Sequence, residues 1–484
     1  MFLSPLCKKQ TNKQTNKDVD NIRVHRRRPL NILFHLHVPI LIFNLFLSSK
    51  LLKEPAPAVR IRDNRNGHRW LYIGRSVDVI LYFFMSGLVL IKCTRSTQLI
   101  NFPLHCNACE TFLLTATGQC CAVCGAASCA SVKCIRTVDR KTPCKAMSRA
   151  KSFEEAQNKT KVPSKHKWLV GNLPLESLCC VCDEPAGDGP GLRDLRCVWC
   201  QRKVHTECQH LLEDTCDLGR HRNLIVPPER VVIKQGRTVA APRRKVISQL
   251  LPREDDKFHP LIVVANTKSG SSDGASVLAG FRRQLNPAQV IELGESRMEE
   301  ALEWCQLASP TRCYVLACGG DGTIGWVLNT ADKMKLATPP AVAIFPLGTG
   351  NDLARTLGWG AGSDSSEDVC EAMARIERAE VVSMDRWRVE VVPRRHLRIR
   401  LPRTTILMNN YLSIGVDALV TYNFHKARES PFYLISSRII NKLIYFSYGT
   451  KDVLERQCQN LHKKLELYMD GVKIELPEIG EQNL

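Results

Sequence analysis

Two glycine-rich segments each follow a short apolar run. Cys318-Gly319-Gly320-Asp321-Gly322-Thr323 comes directly after Tyr314-Val315-Leu316-Ala317, and Pro346-Leu347-Gly348-Thr349-Gly350-Asn351-Asp352 comes after Val342-Ala343-Ile344-Phe345. Glycine lets a backbone turn sharply and come close to an anion, so that successive N–H groups face it with no Cβ in the way. That is phosphate chemistry, and a nucleoside triphosphate is the guest such loops suit. The chain has no Gly-x4-Gly-Lys-Ser/Thr segment and no dinucleotide fingerprint, which excludes the common alternatives. Asp321 cannot donate to a phosphate. Its carboxylate is suited to orienting or deprotonating an acceptor hydroxyl, or to holding Mg²⁺ through water, and the residues leave both roles open.

A second group of residues has metal chemistry. Of 22 cysteines, 15 fall between Cys106 and Cys216, many as C-x-x-C pairs. The first residues are polar and rich in Lys and Asn rather than signal-like, so the thiols read as metal ligands and the folded part as facing the cytosol. The series His166-x12-Cys179-x2-Cys182-x14-Cys197-x2-Cys200-x4-His205-x2-Cys208-x7-Cys216 holds eight ligands, enough for two tetrahedral zinc sites. Upstream, Cys106-x2-Cys109-x11-Cys121-x2-Cys124, then Cys134 and Cys144, form a degenerate copy, with Cys129 between them. Its leading histidine is expected at His68, because His68-Arg69-Trp70 echoes His166-Lys167-Trp168. The apolar run Val77 to Ile91 then reads as an insertion within the copy.

These groups need elements to position them. Short apolar runs at Leu261–Ala265, Val290–Leu293, Tyr314–Cys318 and Val342–Phe345 predict strands. Helical patterns are expected at 276–285, 298–307, 324–335 and 368–378. This alternation predicts a parallel sheet covered on both faces, with the loops at the carboxyl ends of its strands gathered in one crevice. Beyond about Arg386 the pattern becomes β-rich. Residues 218–256, with Pro227-Pro228 and Pro242-Arg243-Arg244-Lys245, read as a linker.

Charge is unevenly spread: residues 1–250 carry 40 Lys and Arg against 19 Asp and Glu, and residues 251–484 carry 28 against 29. A mostly apolar stretch, Leu30 to Leu47, follows Arg26-Arg27-Arg28. Residues 1–60 are therefore expected to associate with an anionic membrane surface. No nucleic acid is expected, since aromatics are not interleaved with the basic clusters, and no obligate protein partner is inferred.

The zinc-ligand spacing of residues 165–217 resembles the phorbol-ester/diacylglycerol-type zinc finger. That resemblance implies interleaving, with His166, Cys197, Cys200 and Cys216 on one ion and Cys179, Cys182, His205 and Cys208 on the other. Its loop Asp183–Asp188 is acidic, which speaks against a lipid-inserting rim. Residues 61–150 are similar to a degraded finger. Asn266-x2-Ser269-Gly270, the Gly319–Thr323 loop and Pro346-Leu347-Gly348-Thr349-Gly350-Asn351-Asp352-Leu353 together resemble the catalytic domain of diacylglycerol kinases, here 257–395. Met408-Asn409-Asn410-Tyr411 and Gly415-Val416-Asp417-Ala418 are similar to the accessory lobe of that family, here 400–484.

The resemblance implies small α+β zinc-finger modules followed by an α/β kinase catalytic domain and a β-rich accessory lobe. It also implies ATP, Mg²⁺ and Zn²⁺ as cofactors, and diacylglycerol and membrane lipids as partners. Backbone N–H groups of Gly319, Gly320, Gly322 and Thr323, with Asn266, Ser269, Gly270, Gly348, Thr349, Gly350, Asn351 and Asp352, would hold the nucleotide, and Asp321 would act on the acceptor. The domain plan looks like the epsilon type. The accessory lobe is expected to be incomplete at Leu484. Two alternatives stand: another kinase of the Gly-Gly-Asp-Gly group acting on NAD or a sphingoid base, and a non-catalytic membrane and zinc module.

Overall fold

The computed structural model describes residues 1–4, 25–26, 62–63, 68–84, 87–97, 104–113, 118–149, 152–160, 164–189, 191–238, 241–253, 255–266, 274–293, 297–348, 350–362, 369–392, 403–429, 447 and 461–475. The Leu30–Leu47 stretch and the candidate ligands Ser269, Gly270 and Thr349 lie outside these. No helix among the described residues is long and apolar enough to cross a membrane. The chain divides into two units, Met1–Leu6 with Ala56–Val382, and Cys7–Pro55 with Ser383–Leu484.

The first unit is built on a six-stranded sheet in the order Val290–Leu293, Leu261–Asn266, Tyr314–Gly319, Ala341–Pro346, Phe2–Ser4, Glu380–Val382. The first four strands are parallel, with Leu261 opposite Tyr314 and Tyr314 opposite Ala341. Leu261–Asn266, Tyr314–Gly319 and Ala341–Pro346 are almost wholly buried, as inner apolar strands covered by helices on both faces must be, and of the four only the edge strand Val290–Leu293 is half-buried. Helices Gly274–Gln284, Met298–Ala308, Asp321–Met334 and Val369–Arg378 connect or flank them.

Three expectations need correction. The helix expected from Ile324 begins at Asp321, because Gly320 serves as its N-cap and the low helix propensity of Gly320 and Gly322 hides the start. Residues 2–4, expected in a membrane-associating segment, form a sheet strand instead. Phe2 and Leu3 are fully buried, Phe2 pairs with Val342 and Val382, and the Leu3 carbonyl accepts the Trp359 indole N–H at 2.7 Å. Part of the expected linker 218–256 is packed structure. Val231–Thr238 and Ala241–Leu250 pair as a hairpin, and Leu224, Ile225 and Val226 are buried against the catalytic fold, with Leu261 N–H donating to the Leu224 carbonyl. The prolines and arginines that mark a linker here flank apolar triplets that find a core.

In the second unit, Trp387–Val391 pairs with Thr404–Met408, and His25–Arg26, Leu465–Met469 and Val472–Ile474 form a three-stranded sheet. A helix spans Val416–Glu429.

Candidate active site and metal centres

The glycine loops meet backbone to backbone. A Cβ placed on Gly348 would lie 2.6 Å from the Gly320 Cα, and one on Gly320 would lie 3.3 Å from the Gly348 Cα. Only glycine fits this crossing. Asp321 ties the two loops together: its carboxylate accepts the backbone N–H groups of Asp352 at 3.1 Å and Leu353 at 3.0 Å. Those are the first two residues of the helix Asp352–Thr356, so a residue of one loop caps the helix that follows the other. A carboxylate has about four acceptor positions; among the described residues two of them are taken.

Asn351 adopts the left-handed region at φ 56°, and its amide donates to the carbonyls of Gly348 and Ala361, both at 2.8 Å. Its Oδ1 is buried and, among the described residues, without a hydrogen-bond partner. Gly322 and Gly350 are exposed, and Gly322 has open space at its Cα. Thr323 closes the first turn of its helix. Its N–H donates to the Gly320 carbonyl at 2.9 Å, and its side chain folds over Gly319. Asn266 ends the strand beside this loop, opposite Leu293.

The metal ligands gather into four quartets, each with its ligand atoms within 4.8 Å of one another: His166/Cys197/Cys200/Cys216, Cys179/Cys182/His205/Cys208, His68/Cys121/Cys124/Cys144 and Cys106/Cys109/Cys129/Cys134. The first two have the interleaved membership that the resemblance implied. The other two show that the upstream copy also closes, and that Cys129 takes the histidine's place in an all-cysteine set.

The two modules repeat each other in register. Trp70 lies opposite Cys121 as Trp168 lies opposite Cys197, and each tryptophan stacks on its histidine, His68 at 5.1 Å and His166 at 4.9 Å. The insertion does not disturb this, because it is a hairpin. Arg69–Phe84 runs out and Gly87–Thr97 runs back, bringing Thr97 opposite Gly74. A long sequence gap is thus a short distance in space.

Groups around the ligands orient them. Nε2 of His68 lies 2.8 Å from the Thr142 carbonyl and Nε2 of His205 lies 2.9 Å from the Pro185 carbonyl, so each ring turns Nδ1 to the thiols. The Thr111 hydroxyl, 3.2 Å from the Cys109 sulfur, lowers that thiol to about 6, toward the thiolate that ligation needs.

The upstream module also grips the catalytic fold. Leu71, Ala122 and Ala279 form one buried cluster. The buried Lys145 donates to the carbonyls of Arg283 at 2.9 Å and Gln284 at 3.3 Å, at the end of helix Gly274–Gln284, and lies 4.4 Å over the Trp199 ring of the second module. Burial pulls its ammonium down to about 7, against neighbouring thiols of Cys197 and Cys144 that hold it up. The Asn172 side chain joins the two modules, accepting from His105 N–H at 2.7 Å and donating to its carbonyl at 2.9 Å.

Comparison with known proteins fits this geometry. A model of the diacylglycerol kinase catalytic domain matches residues 260–387, one of the diacylglycerol kinase accessory domain matches 407–483, and one of the phorbol esters/diacylglycerol binding domain (C1 domain) matches 166–219. The chain is 33% identical over 402 residues to probable diacylglycerol kinase 3 of Caenorhabditis elegans, covering 77% of this chain and 47% of that protein. It is 35% identical over 314 residues to diacylglycerol kinase zeta of Rattus norvegicus, covering 58% and 33%. It is also 35% identical over 322 residues to diacylglycerol kinase iota of Homo sapiens, covering 59% and 30%. The chain therefore spans less than half the length of these relatives. No solved structure matches it significantly. By its catalytic, accessory and C1 domains, the chain belongs to the diacylglycerol kinase family.

Proposed function

We propose that the chain transfers the γ-phosphoryl group of ATP to the free hydroxyl of 1,2-diacylglycerol at a membrane, giving phosphatidic acid for lipid second-messenger signalling and phosphoinositide turnover. The observation that carries this reading is the crossing of Gly320 and Gly348 with Asp321 beside it. Beside it the backbone is exposed at Gly322 and Gly350, and the buried Asn351 Oδ1, without a partner among the described residues, is an acceptor suited to a donor such as a nucleotide hydroxyl or amino group. These residues fit a nucleotide. Gly319, Gly320, Gly322, Gly348 and Gly350 would receive the phosphates, with Asn266, Ser269, Gly270, Thr323, Thr349, Asn351 and Asp352 completing the cradle. Mg²⁺, when bound, neutralises charge on the transferring group. Asp321 orients or deprotonates the acceptor hydroxyl, while holding the second loop in place.

The four quartets fit zinc, since three are Cys₃His and one is Cys₄, all closed sets with no open position. Zinc in them would be structural. The epsilon-like subtype rests on the pairing of an N-terminal apolar segment with two fingers; the relatives named above carry other subtype names. Membrane association, with the folded domains facing the cytosol, is read from the basic N-terminal half and from the cysteine usage, and it suits an enzyme with a lipid substrate.

The test is transfer of labelled phosphate to diacylglycerol in mixed micelles, run beside a sphingoid base and NAD, with the zinc-loaded chain and its Asp321→Asn variant. Diacylglycerol alone should be labelled, and the variant should lose on the order of 10²–10⁴-fold in turnover with its metal content unchanged. No transfer to any acceptor would leave the chain a membrane and zinc module. Labelling of a different acceptor would reassign it within the group.

A further inference from the structure

The two modules differ between their last two ligands. In the second, Cys208 to Cys216 holds a single 3-10 turn, Gln209–Leu211, with exposed Glu213 and Asp214 and no lysine or arginine. In the first, the same place holds the ten-residue helix Val132–Lys141, which starts just ahead of Cys134. This helix buries Val138 and Asp139 and exposes Lys133, Arg136, Arg140 and Lys141. Positions 133, 136 and 140 share one face at i, i+3 and i+7, and Lys141 lies beside them. The helix's one acid is turned inward, where Asp139 accepts the Trp70 indole N–H at 3.3 Å.

The helix dipole does not account for this stripe. Arg140 and Lys141 stand in the last turn, where cations are favoured, but Lys133 stands in the first turn, where they are not, and no acid accompanies it. A metal held by Cys106, Cys109, Cys129 and Cys134 would leave net negative charge near Lys133. At 1.5 Å per residue, Arg140 and Lys141 lie roughly 10–12 Å farther along the axis than Lys133, beyond about one screening length at physiological salt. Charge at that end still faces solvent.

We propose that the exposed basic face of helix Val132–Lys141 is a contact surface for an anionic phospholipid membrane, and that it gives the first finger a role the second does not share. This rests on the kinase reading, which places both substrate and product in a bilayer and makes the product itself an anionic lipid. Val132, at the start of the helix, is 59% exposed, as an apolar residue at the headgroup boundary can be. The helix has no aromatic residue on which a nucleic-acid base could stack.

The experiment compares the full zinc-loaded chain with an Arg136→Ala/Arg140→Ala/Lys141→Ala variant in flotation with phosphatidylcholine vesicles, with and without phosphatidylserine. Each basic residue near an anionic leaflet is worth roughly fivefold in partitioning, so the triple variant should bind phosphatidylserine vesicles roughly 100-fold more weakly. Binding to pure phosphatidylcholine should be unchanged, and high salt should remove the difference. Metal content measured on the same samples shows that the finger is intact. Equal binding by the two chains to phosphatidylserine vesicles overturns the proposal. So does loss of binding to a short RNA duplex with vesicle binding retained, which would make the stripe a nucleic-acid surface. Phosphate transfer in neutral micelles should be the same in both chains; its absence from both would remove the kinase reading while leaving the vesicle result to stand alone.

Discussion

The two fingers share a ligand plan and little else. Both pair a tryptophan with the first cysteine of an inner C-x-x-C, and both stack that tryptophan on the leading histidine. Their surroundings have diverged. The first is buried against the catalytic domain through Leu71, Ala122 and Lys145, and turns a basic helix outward. The second leaves Val170, Leu175 and Leu178 exposed beside its acidic loop. Metal ligation fixes the frame of such a module because a core this small cannot hold itself, and it leaves the surface free to take up another task. Both reach the end of helix Gly274–Gln284, the first through Lys145 and the second through Gln201, whose amide donates to the Arg283 carbonyl at 3.1 Å, but only the first shares a buried apolar cluster with that helix.

Breaking a ligand set should separate the copies most sharply. Cys121→Ser should cost the first finger one metal ion and, because its inner quartet is wholly buried and adjoins the cluster shared with Ala279, lower the unfolding temperature of the catalytic domain. Structural zinc supplies on the order of 10 kcal/mol to folding in small fingers. Cys182→Ser, at the exposed ligand of the second finger's outer quartet, should also lose one ion but leave catalytic-domain melting near wild type. Metal analysis and calorimetry on both variants decide the matter, and equal melting losses would show that the copies are equally integrated. A smaller effect is expected at the seam. Lys145→Met removes two donors to the end of helix Gly274–Gln284 and should cost about 1–3 kcal/mol, seen as faster amide exchange in that helix. Unchanged exchange would mean that apolar packing alone holds the first finger in place.

What was legible in the sequence follows the same divide. The second finger could be read from spacing alone, and the catalytic strands from their unbroken apolar runs. The first finger could be read only in part. Cys129 stands where a histidine is expected, and the hairpin after Trp70 stretches the gap to His68 although it closes on itself at Gly74 and Thr97. The candidate residues of the glycine loops are evident by type, but not how the loops are joined. Nothing in Gly-Gly-Asp-Gly-Thr says that Asp321 caps the following loop's helix, because that depends on where the second loop crosses the first. Phe2–Ser4 is too short for any periodicity to show that it belongs to the sheet.

The central claim is that this crossing binds ATP for transfer to a lipid hydroxyl, and Gly348 is where it can be tested with least disturbance elsewhere. A methyl group there would lie 2.6 Å from both the Gly320 Cα and the Asn351 Oδ1, and must push the loops apart. Measured by titration calorimetry with Mg²⁺-ATP and by phosphate transfer to diacylglycerol, Gly348→Ala should lose both nucleotide binding and turnover while keeping its full zinc content. A Gly348→Ala chain that binds ATP and labels diacylglycerol at the wild-type rate would contradict the account.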